Sequence, residues 1–554
     1  MFSYSSREAS RFLAINILLA TAGAGCHGLE DHEAKLNSSQ KACTPSTFES
    51  LLPKGSSVVF ASYVEANGTF TENSTNAGIS ATVSQLPELC AAKFTVPSSN
   101  SSTFDFALFL PAQWNERFMG TGNGGFGGYI DWSDMAQFSH YGFASMSTNT
   151  GHYSGSLNAS WALNNSEAIV DWGYRALHES TVLSKRLISA FYQVESRYNY
   201  FSSCSNGGRQ GLKEVTAYPD DYDGVINGAP AWSLTHLFTW AAEVQSKNVP
   251  GSPGYISETH FQNVTKEIVS QCDPQDGLAD GIIQDPRRCH FVPEKLLCNG
   301  TQPLNGSTCL SPQQLSTLYH VLNDWVDTNQ TFVSSALDLG AEYILANPGS
   351  AAPYGLAFLR NFVYNTTSYG IEDFDYLKTL DDAETAAAYT LDANFDVEPF
   401  RARGGKILQY HGLADELIPS GNTLFWRSNI QQRLQPKGLS VDDWYRLFLV
   451  PGMNHCVSSS TGAPWYFAGV LHQQSVEGAV YSTPGFEDAR HDVTLAMMEW
   501  VEKGIAPSDL IATKYTDDVV GRGVEKQRPL CPYPQSAEYK GYGDVDVAEN
   551  WRCS

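Results

Sequence analysis

The chain has 554 residues, 42% of them apolar and 12% aromatic, with a formal charge of −24 at neutral pH. Its length suits about two to four domain-sized units, and the apolar content suffices for large buried cores. The acidity argues against a nucleic-acid or anionic-membrane partner, because both select basic patches.

Met1 to Ala24 reads as a secretory signal: Arg7 and Arg11 open it, Phe12 to Ala20 form a short apolar core, and Ala22-Gly23-Ala24 offers small residues for cleavage. That apolar run falls short of the ~20 residues that span a bilayer, and no other segment approaches such a length. Eleven Asn-x-Ser/Thr sites, at Asn37, Asn67, Asn73, Asn100, Asn158, Asn164, Asn263, Asn299, Asn305, Asn329 and Asn365, add to the expectation of a secreted glycoprotein. Eleven cysteines in an oxidising compartment should mostly pair. Cys26 lies beside the cleavage site. Local spacing suggests Cys272–Cys289, Cys298–Cys309 and Cys531–Cys553, with Cys43–Cys90 near the N-terminus, which leaves Cys204 and Cys456.

A polar stretch runs to Lys41, after which Ser56 to Tyr63 is expected to be the first strand. Thr103 to Pro111 alternates like a second. Arg117 to Gly128 is glycine-rich and contains a formal G-x-G-x-x-G from Gly120 to Gly125. A dinucleotide reading fails because Gly127-Gly128-Tyr129-Ile130-Asp131 does not open a helix. Two readings stay open: a loop whose backbone N–H groups face a developing anion, and a plain glycine turn. Tyr141 to Thr148 reads as a strand, and a polar loop through Gly151-His152 follows. Glu167 to Tyr192 places Ile169, Trp172, Ala176, Leu183 and Leu187 at helical spacing.

The run Tyr198 to Arg209 then joins an aromatic, β-prone segment to Ser205 among small residues, with a helix start at Leu212 to Ala217. This is the layout of a strand-to-helix elbow that lifts one hydroxyl above a parallel sheet, although Ser203 stands where the usual G-x-S-x-G begins. Gly224 to Pro230 is a further buried strand with a turn. Strand, helix and strand in succession give an α/β fold. From 233 to 398 the alternation stops, and the segment is read as a domain inserted between the two parts of a core, 43–232 and 399–554. The sheet pattern resumes at Lys406 to Asp415 and again at Tyr445 to Val450, which leads into Pro451 to Cys456.

Acyl transfer needs a hydroxyl nucleophile, an imidazole to move its proton and a carboxylate to fix the imidazole tautomer. Ser205, Asp415 and His455 each follow an apolar strand-like run, in the chain order Ser, acid, His. His152 and His411 also sit near strand ends and keep places as core or pocket residues. Cys204 precedes the nucleophile and Cys456 follows the imidazole. A bridge between them holds its Cα atoms within about 7 Å and clamps both groups together; two unrelated buried thiols are the alternative.

Cys204-Ser205, Asp415 and His455-Cys456 resemble the CS-D-HC arrangement of the tannase and feruloyl esterase family, as do Asn206-Gly207-Gly208-Arg209 and Asn227-Gly228-Ala229-Pro230. In layout the chain is most like the fungal B-type feruloyl esterases. The resemblance implies an α/β-hydrolase core, a large lid in the inserted segment, and hydrolysis of phenolic acid esters, whether on plant cell-wall polysaccharide or as small aryl esters. Tannases of the family can be processed at a dibasic site in the lid; Lys185-Arg186 lies before the elbow instead, which favours a feruloyl esterase over a gallate esterase. The expected oxyanion donors are the N–H groups of Asn206 and of Gly124 or Gly125.

Cys272 to Ile282 carries three carboxylates among turn-forming glycines, which from residue types alone suits either an Asp-Gly turn or a hard cation. The resemblance implies a structural calcium in the lid, bound by the side chains of Asp273, Asp276 and Asp280 and the carbonyls of Leu278 and Ile282. No organic cofactor is expected. The rivals are a gallate or other aryl-ester hydrolase, a carbohydrate-binding protein that has kept the fold, and a peptidase.

Overall fold

A nine-stranded mixed sheet positions everything else: β1 (Ser57–Val64), β2 (Leu89–Pro97), β3 (Thr103–Pro111), β4 (Arg117–Thr121), β5 (Ala144–Thr148), β6 (Tyr198–Cys204), β7 (Gly224–Gly228), β8 (Lys406–Gly412) and β9 (Tyr445–Val450). The structure is a computed structural model describing residue 40 and residues 42–73, 80–298, 309–341 and 354–554. The secretory signal, Cys26 and the sites at Asn37, Asn299 and Asn305 lie outside the described residues.

The spatial order is β1-β2-β3-β5-β4-β6-β7-β8-β9. The first three pairings are antiparallel and all the others parallel. Strands paired in parallel need crossovers that cover both faces, so they bury both sides and read as near-continuous apolar runs. β7 is buried along its whole length. The pleat sends alternate residues to opposite faces. Phe201 joins Leu177 and Leu187 of α2 (Ala176–Tyr192) and Leu212 and Val215 of α3 (Asn206–Ala217) on one side. Tyr200 joins Val493 and Met497 of α6 (Val493–Lys503) on the other.

The expected strands at Thr103–Pro111 and Tyr445–Val450 form with those bounds. Tyr141 and Gly142 do not join β5. They form the turn that ends α1 (Trp132–His140), where Tyr141 and Gly142 donate back to Phe138 and Ser139 carbonyls. The helical run ahead of β6 is interrupted. Ser166–Val170 passes into a π turn at Asp171–Arg175 before α2. Carbonyls of Trp172 and Gly173 in that turn face the buried Arg209, which takes both as acceptors. The helix expected near 311–327 ends at Leu322, and Trp325–Val326 pairs instead with Phe332–Ser334.

The connection between β7 and β8 contains α4 (Leu234–Lys247) and α5 (Thr379–Leu391) and packs around an apolar cluster that includes its Leu237, Trp240, Ile268, Leu318, Phe358 and Leu391 together with Phe126, Ala162 and Trp172 from before β6. All five expected disulfides form: Cys43–Cys90, Cys204–Cys456, Cys272–Cys289, Cys298–Cys309 and Cys531–Cys553. A parallel sheet covered by helices on both faces, with a serine at the β6–α3 elbow, is the α/β-hydrolase fold.

Candidate active site

Ser205 is the one residue between β6 and α3, with φ 65° and ψ −128°. That left-handed backbone costs a non-glycine residue energy and is held by its surroundings. Its N–H donates to the Gly228 carbonyl at 3.0 Å, and its carbonyl accepts from Arg209 and Ala231, both at 3.1 Å. Small residues are required beneath it: a Cβ on Gly207 would lie 1.9 Å from the Ser203 hydroxyl.

Asp415 follows β8 in a loop and is 1% exposed. One carboxylate oxygen accepts from the N–H groups of Leu417 and Ile418, each at 2.9 Å. The other accepts from His455 Nδ1 at 2.8 Å. His455 follows β9, and its Nε2 stands 2.9 Å from the Ser205 hydroxyl. Burial alone would raise the Asp415 carboxyl, but the charge of His455 and hydrogen bonds from His411 and His455 hold it well below the usual carboxylate range. Burial likewise disfavours a charged His455. The Asp415 carboxylate, with a smaller contribution from Glu416, outweighs burial and raises the imidazole above its ordinary value. With Nδ1–H committed to Asp415, Nε2 is left to accept the Ser205 proton, the geometry acyl transfer requires.

The disulfide joins the elbow to the imidazole loop with a Cα–Cα distance of 6.1 Å. Between β6 and β9 lie two strands, so three spacings of the sheet, about 14 Å, separate the strand axes. The loops lean together above the strand ends to make the bridge.

Of the two glycines expected to supply an oxyanion donor, the geometry separates one. Asn123 donates to Gln210, Gly124 to the Tyr129 hydroxyl at 3.3 Å, Phe126 to Ser156, Gly127 to Gly124 and Gly128 to Ser154. Gly125, at φ 54°, faces the cleft beside Ser205 and Asn206. Among the described residues neither the Gly125 nor the Asn206 N–H has a protein acceptor. Gly124 is therefore committed elsewhere, and Gly125 is the glycine beside the nucleophile.

The cleft over Ser205 and His455 is walled by Ala231, by Leu234, Leu237, Phe238 and Ala241 of α4, by Tyr354, and by Leu417 and Ile418. Phe238 and Tyr354 stack with ring centroids 5.6 Å apart. The Tyr354 hydroxyl is hydrogen-bonded to Ser156, and the side chain of Asn206, which also lines the cleft, donates to the Asn123 carbonyl and accepts from Arg209.

Of three neighbours, Glu416 and His472 have no signal of their own in the sequence, and His411, expected as a core or pocket residue, is one. Glu416 accepts the His455 N–H at 2.9 Å. His411 is fully buried; its Nε2 donates to the Ile418 carbonyl at 2.9 Å and lies 3.3 Å from Asp415. His472 donates to the Cys456 carbonyl at 3.1 Å and is pushed down to about 3 by burial. His152 lies under the glycine loop, stacked on Trp161 at 3.7 Å and donating to Phe126; its place is structural.

In the 272–282 loop the carboxylates turn onto the loop's own amides. Asp273 accepts from Asp280 and Gly281, Asp276 from Leu278 and Gln284, and Asp280 from Ile282 while pairing with Arg528. Burial, then the charges of Asp280 and Asp273, raise Asp276. Three carboxylates with the Leu278 and Ile282 carbonyls are hard oxygen donors of the kind calcium takes, although here the three carboxylates do not all come within 4.8 Å of one another.

A family model described as tannase and feruloyl esterase matches residues 90–554. A probable feruloyl esterase B-2 of Aspergillus terreus is 35% identical over 509 residues, covering 90% of this chain and 92% of that one. A probable feruloyl esterase B-1 of Aspergillus oryzae is 34% identical over 84% of this chain and 83% of its own length. The crystal structure of feruloyl esterase B from Aspergillus oryzae superposes with a TM-score of 0.84 at 31% identity, covering 93% of this chain and all of that one. A tannin acyl hydrolase from Aspergillus niger shares the fold, with a TM-score of 0.71 at 21% identity. With matches of this extent lying over a serine, imidazole and carboxylate in hydrogen-bonded sequence, the chain belongs to the tannase and feruloyl esterase family and is a carboxylic ester hydrolase acting on feruloyl or related aryl esters.

Proposed function

We propose that the protein is a secreted feruloyl esterase that releases hydroxycinnamic acids from plant cell-wall polysaccharide such as arabinoxylan. The observation that carries this reading is the cleft. Its wall is aliphatic and aromatic, and the hydroxyl of its one tyrosine, Tyr354, is hydrogen-bonded to Ser156. A feruloyl ring presents one hydroxyl and a methoxy group, whereas a galloyl ring presents three hydroxyls that would lose water without matching partners.

His455 Nε2 takes the Ser205 proton as Oγ attacks the ester carbonyl carbon. The carbonyl oxygen becomes an oxyanion that accepts from the N–H groups of Asn206 and Gly125, and Asp415 stabilises the imidazolium. Collapse of the intermediate breaks the bond to the alcohol oxygen, which leaves with the proton from His455. Water then gives its proton to the same nitrogen and attacks the acyl carbonyl; as that intermediate collapses the bond to Ser205 Oγ breaks, Oγ takes the proton back from His455, and the aromatic acid leaves. Asp273, Asp276 and Asp280, with the carbonyls of Leu278 and Ile282, would hold a structural calcium away from this chemistry. The 233–398 segment acts as the lid.

Ser205→Ala is expected to abolish turnover with an unchanged circular dichroism spectrum; an active alanine variant would sink the mechanism. Parallel assays are expected to give methyl ferulate a kcat/KM at least about tenfold above methyl gallate, the worth of one mismatched polar group. The reverse order makes this a tannase. Failure of a serine-reactive phosphonate to label the protein would favour a non-catalytic carbohydrate binder.

A further inference from the structure

His178 on α2, Glu214 on α3 and Asp221 in the turn before β7 meet on the side of the elbow helix away from the cleft. Each offers one ligand atom, and these atoms all lie within 4.8 Å of one another; among the described residues no other group of three or more His, Cys, Asp or Glu side chains converges in this way. His178 Nδ1 is 2.6 Å from Asp221 Oδ2, and its ring is fixed by stacking on Tyr218 at 3.6 Å. Glu214 is 1% exposed, and neither of its carboxylate oxygens has a hydrogen-bond partner.

A buried carboxylate with no donor is costly, and a second one beside it adds repulsion. Such a pair is kept either by a proton shared between its members, which burial and then Asp221 favour by raising the Glu214 carboxyl well above the usual range, or by a cation seated between them. Lys185 does not fill that place: its ammonium donates to the Asp221 backbone carbonyl and stands 3.9 Å from the nearer Asp221 oxygen. His178 also borders a surface groove formed by Pro53, Val96, Pro97, Glu179, Val182 and Leu183, which gives an ion a route in.

We propose that His178, Glu214 and Asp221 form a binding site for a divalent cation of the zinc type, separate from the aspartate loop at 273–280. One imidazole and two carboxylates are a mixed nitrogen and oxygen set, which suits zinc better than the all-oxygen environment calcium takes. Bound there, the ion would tie α2 and the β7 turn to α3, the helix whose first residue carries an oxyanion N–H. Glu214 lies eight residues further along α3, about 12 Å from that end, so the site acts on the rigidity of the elbow and not on the ester.

The test is zinc titration of the intact protein by calorimetry with calcium in excess, together with anomalous diffraction at the zinc edge. Glu214→Gln and His178→Ala serve as comparisons, since Glu214→Gln preserves shape and isolates the charge. The expected result is an anomalous peak among the three side chains and zinc affinity falling by about tenfold or more in both variants. Zinc should also raise the melting temperature of the wild type but not of the variants. Zinc bound only elsewhere, unchanged affinity in Glu214→Gln, or a protonated Glu214–Asp221 pair persisting by infrared spectroscopy at saturating zinc would each overturn the proposal.

Discussion

Replacing both Cys204 and Cys456 by alanine separates two roles of one bond. The bridge closes a loop across a sequence separation of 252 residues, within which two shorter disulfides remove little of the free chain. Loop-closure entropy for that length is worth about 5.5 kcal/mol. Unfolding entropy for a chain of this size is about 1 kcal/mol per kelvin, so the melting temperature should fall by about 5 °C. The catalytic effect has a different origin. Ser205 keeps its three backbone hydrogen bonds without the bridge, while the His455 loop keeps the contacts to Glu416 and Asp415, the His472 bond to the Cys456 carbonyl and the Ala414 N–H on the Met453 carbonyl, none of which ties it to the elbow. Because the strands beneath lie about 14 Å apart, that loop should relax outward, and an ångström of displacement costs about 10²-fold in kcat. Calorimetry and methyl ferulate kinetics on the double variant measure both. A variant that melts within a degree of the wild type and keeps kcat within about twofold would refute the clamp.

Gly125→Ala should lower kcat by about 10²-fold or more, because its Cβ would meet the Ser156 carbonyl oxygen at 2.4 Å and the backbone is left-handed there; Gly124→Ala, whose nearest contact is the Tyr129 hydroxyl at 3.5 Å, should be far milder. The acid limb of kcat/KM should lie above the ordinary histidine value, since activity needs neutral His455 and its environment raises it. Glu416→Gln should shift that limb to lower pH. Burial pushes Asp492 up to about 6, so the native state prefers it protonated. Its stabilising share is full below about 4 and lost as pH rises through about 6, about 3 kcal/mol in all, and denaturant melts of Asp492→Asn should lack that loss. EDTA should lower the melting temperature through the 273–280 loop, and unchanged melting with no calcium by elemental analysis would discard that ion.

Ser205, Asp415 and His455 are readable in the sequence because each stands directly after an apolar strand, and a strand end is where a parallel sheet presents side chains to a ligand. The cysteines are readable because four pairs have near neighbours and the fifth is what remains. Gly124 and Gly125 are not distinguishable there, because the choice rests on the Tyr129 hydroxyl folding back onto one amide. Glu416 is equally silent, and His411 shows only as a residue near a strand end, since their roles come from a loop that doubles back on itself. Apolar residues at 169, 172, 176, 183 and 187 fit an unbroken helix by spacing, so the π turn at Asp171–Arg175 is not visible there. Glu214, His178 and Asp221 come from three segments and show no spacing at all.

Arg209 is fully buried, stacked on Trp172, and its guanidinium donates to the Asn206 side chain and to the carbonyls of Trp172, Gly173 and Leu391. Lys213, one turn on, donates to the carbonyls of Tyr389 and Asp392. Two cations of α3 thus occupy the carbonyl end of α5, where a helix concentrates partial negative charge. The inserted segment and the nucleophile elbow thereby share a hinge pin: α5 cannot swing to admit a bulkier ester without dragging on the side chain of Asn206. Widening the entrance by loop replacement should therefore succeed on the Tyr354 side of the cleft and carry a penalty in turnover on the α5 side.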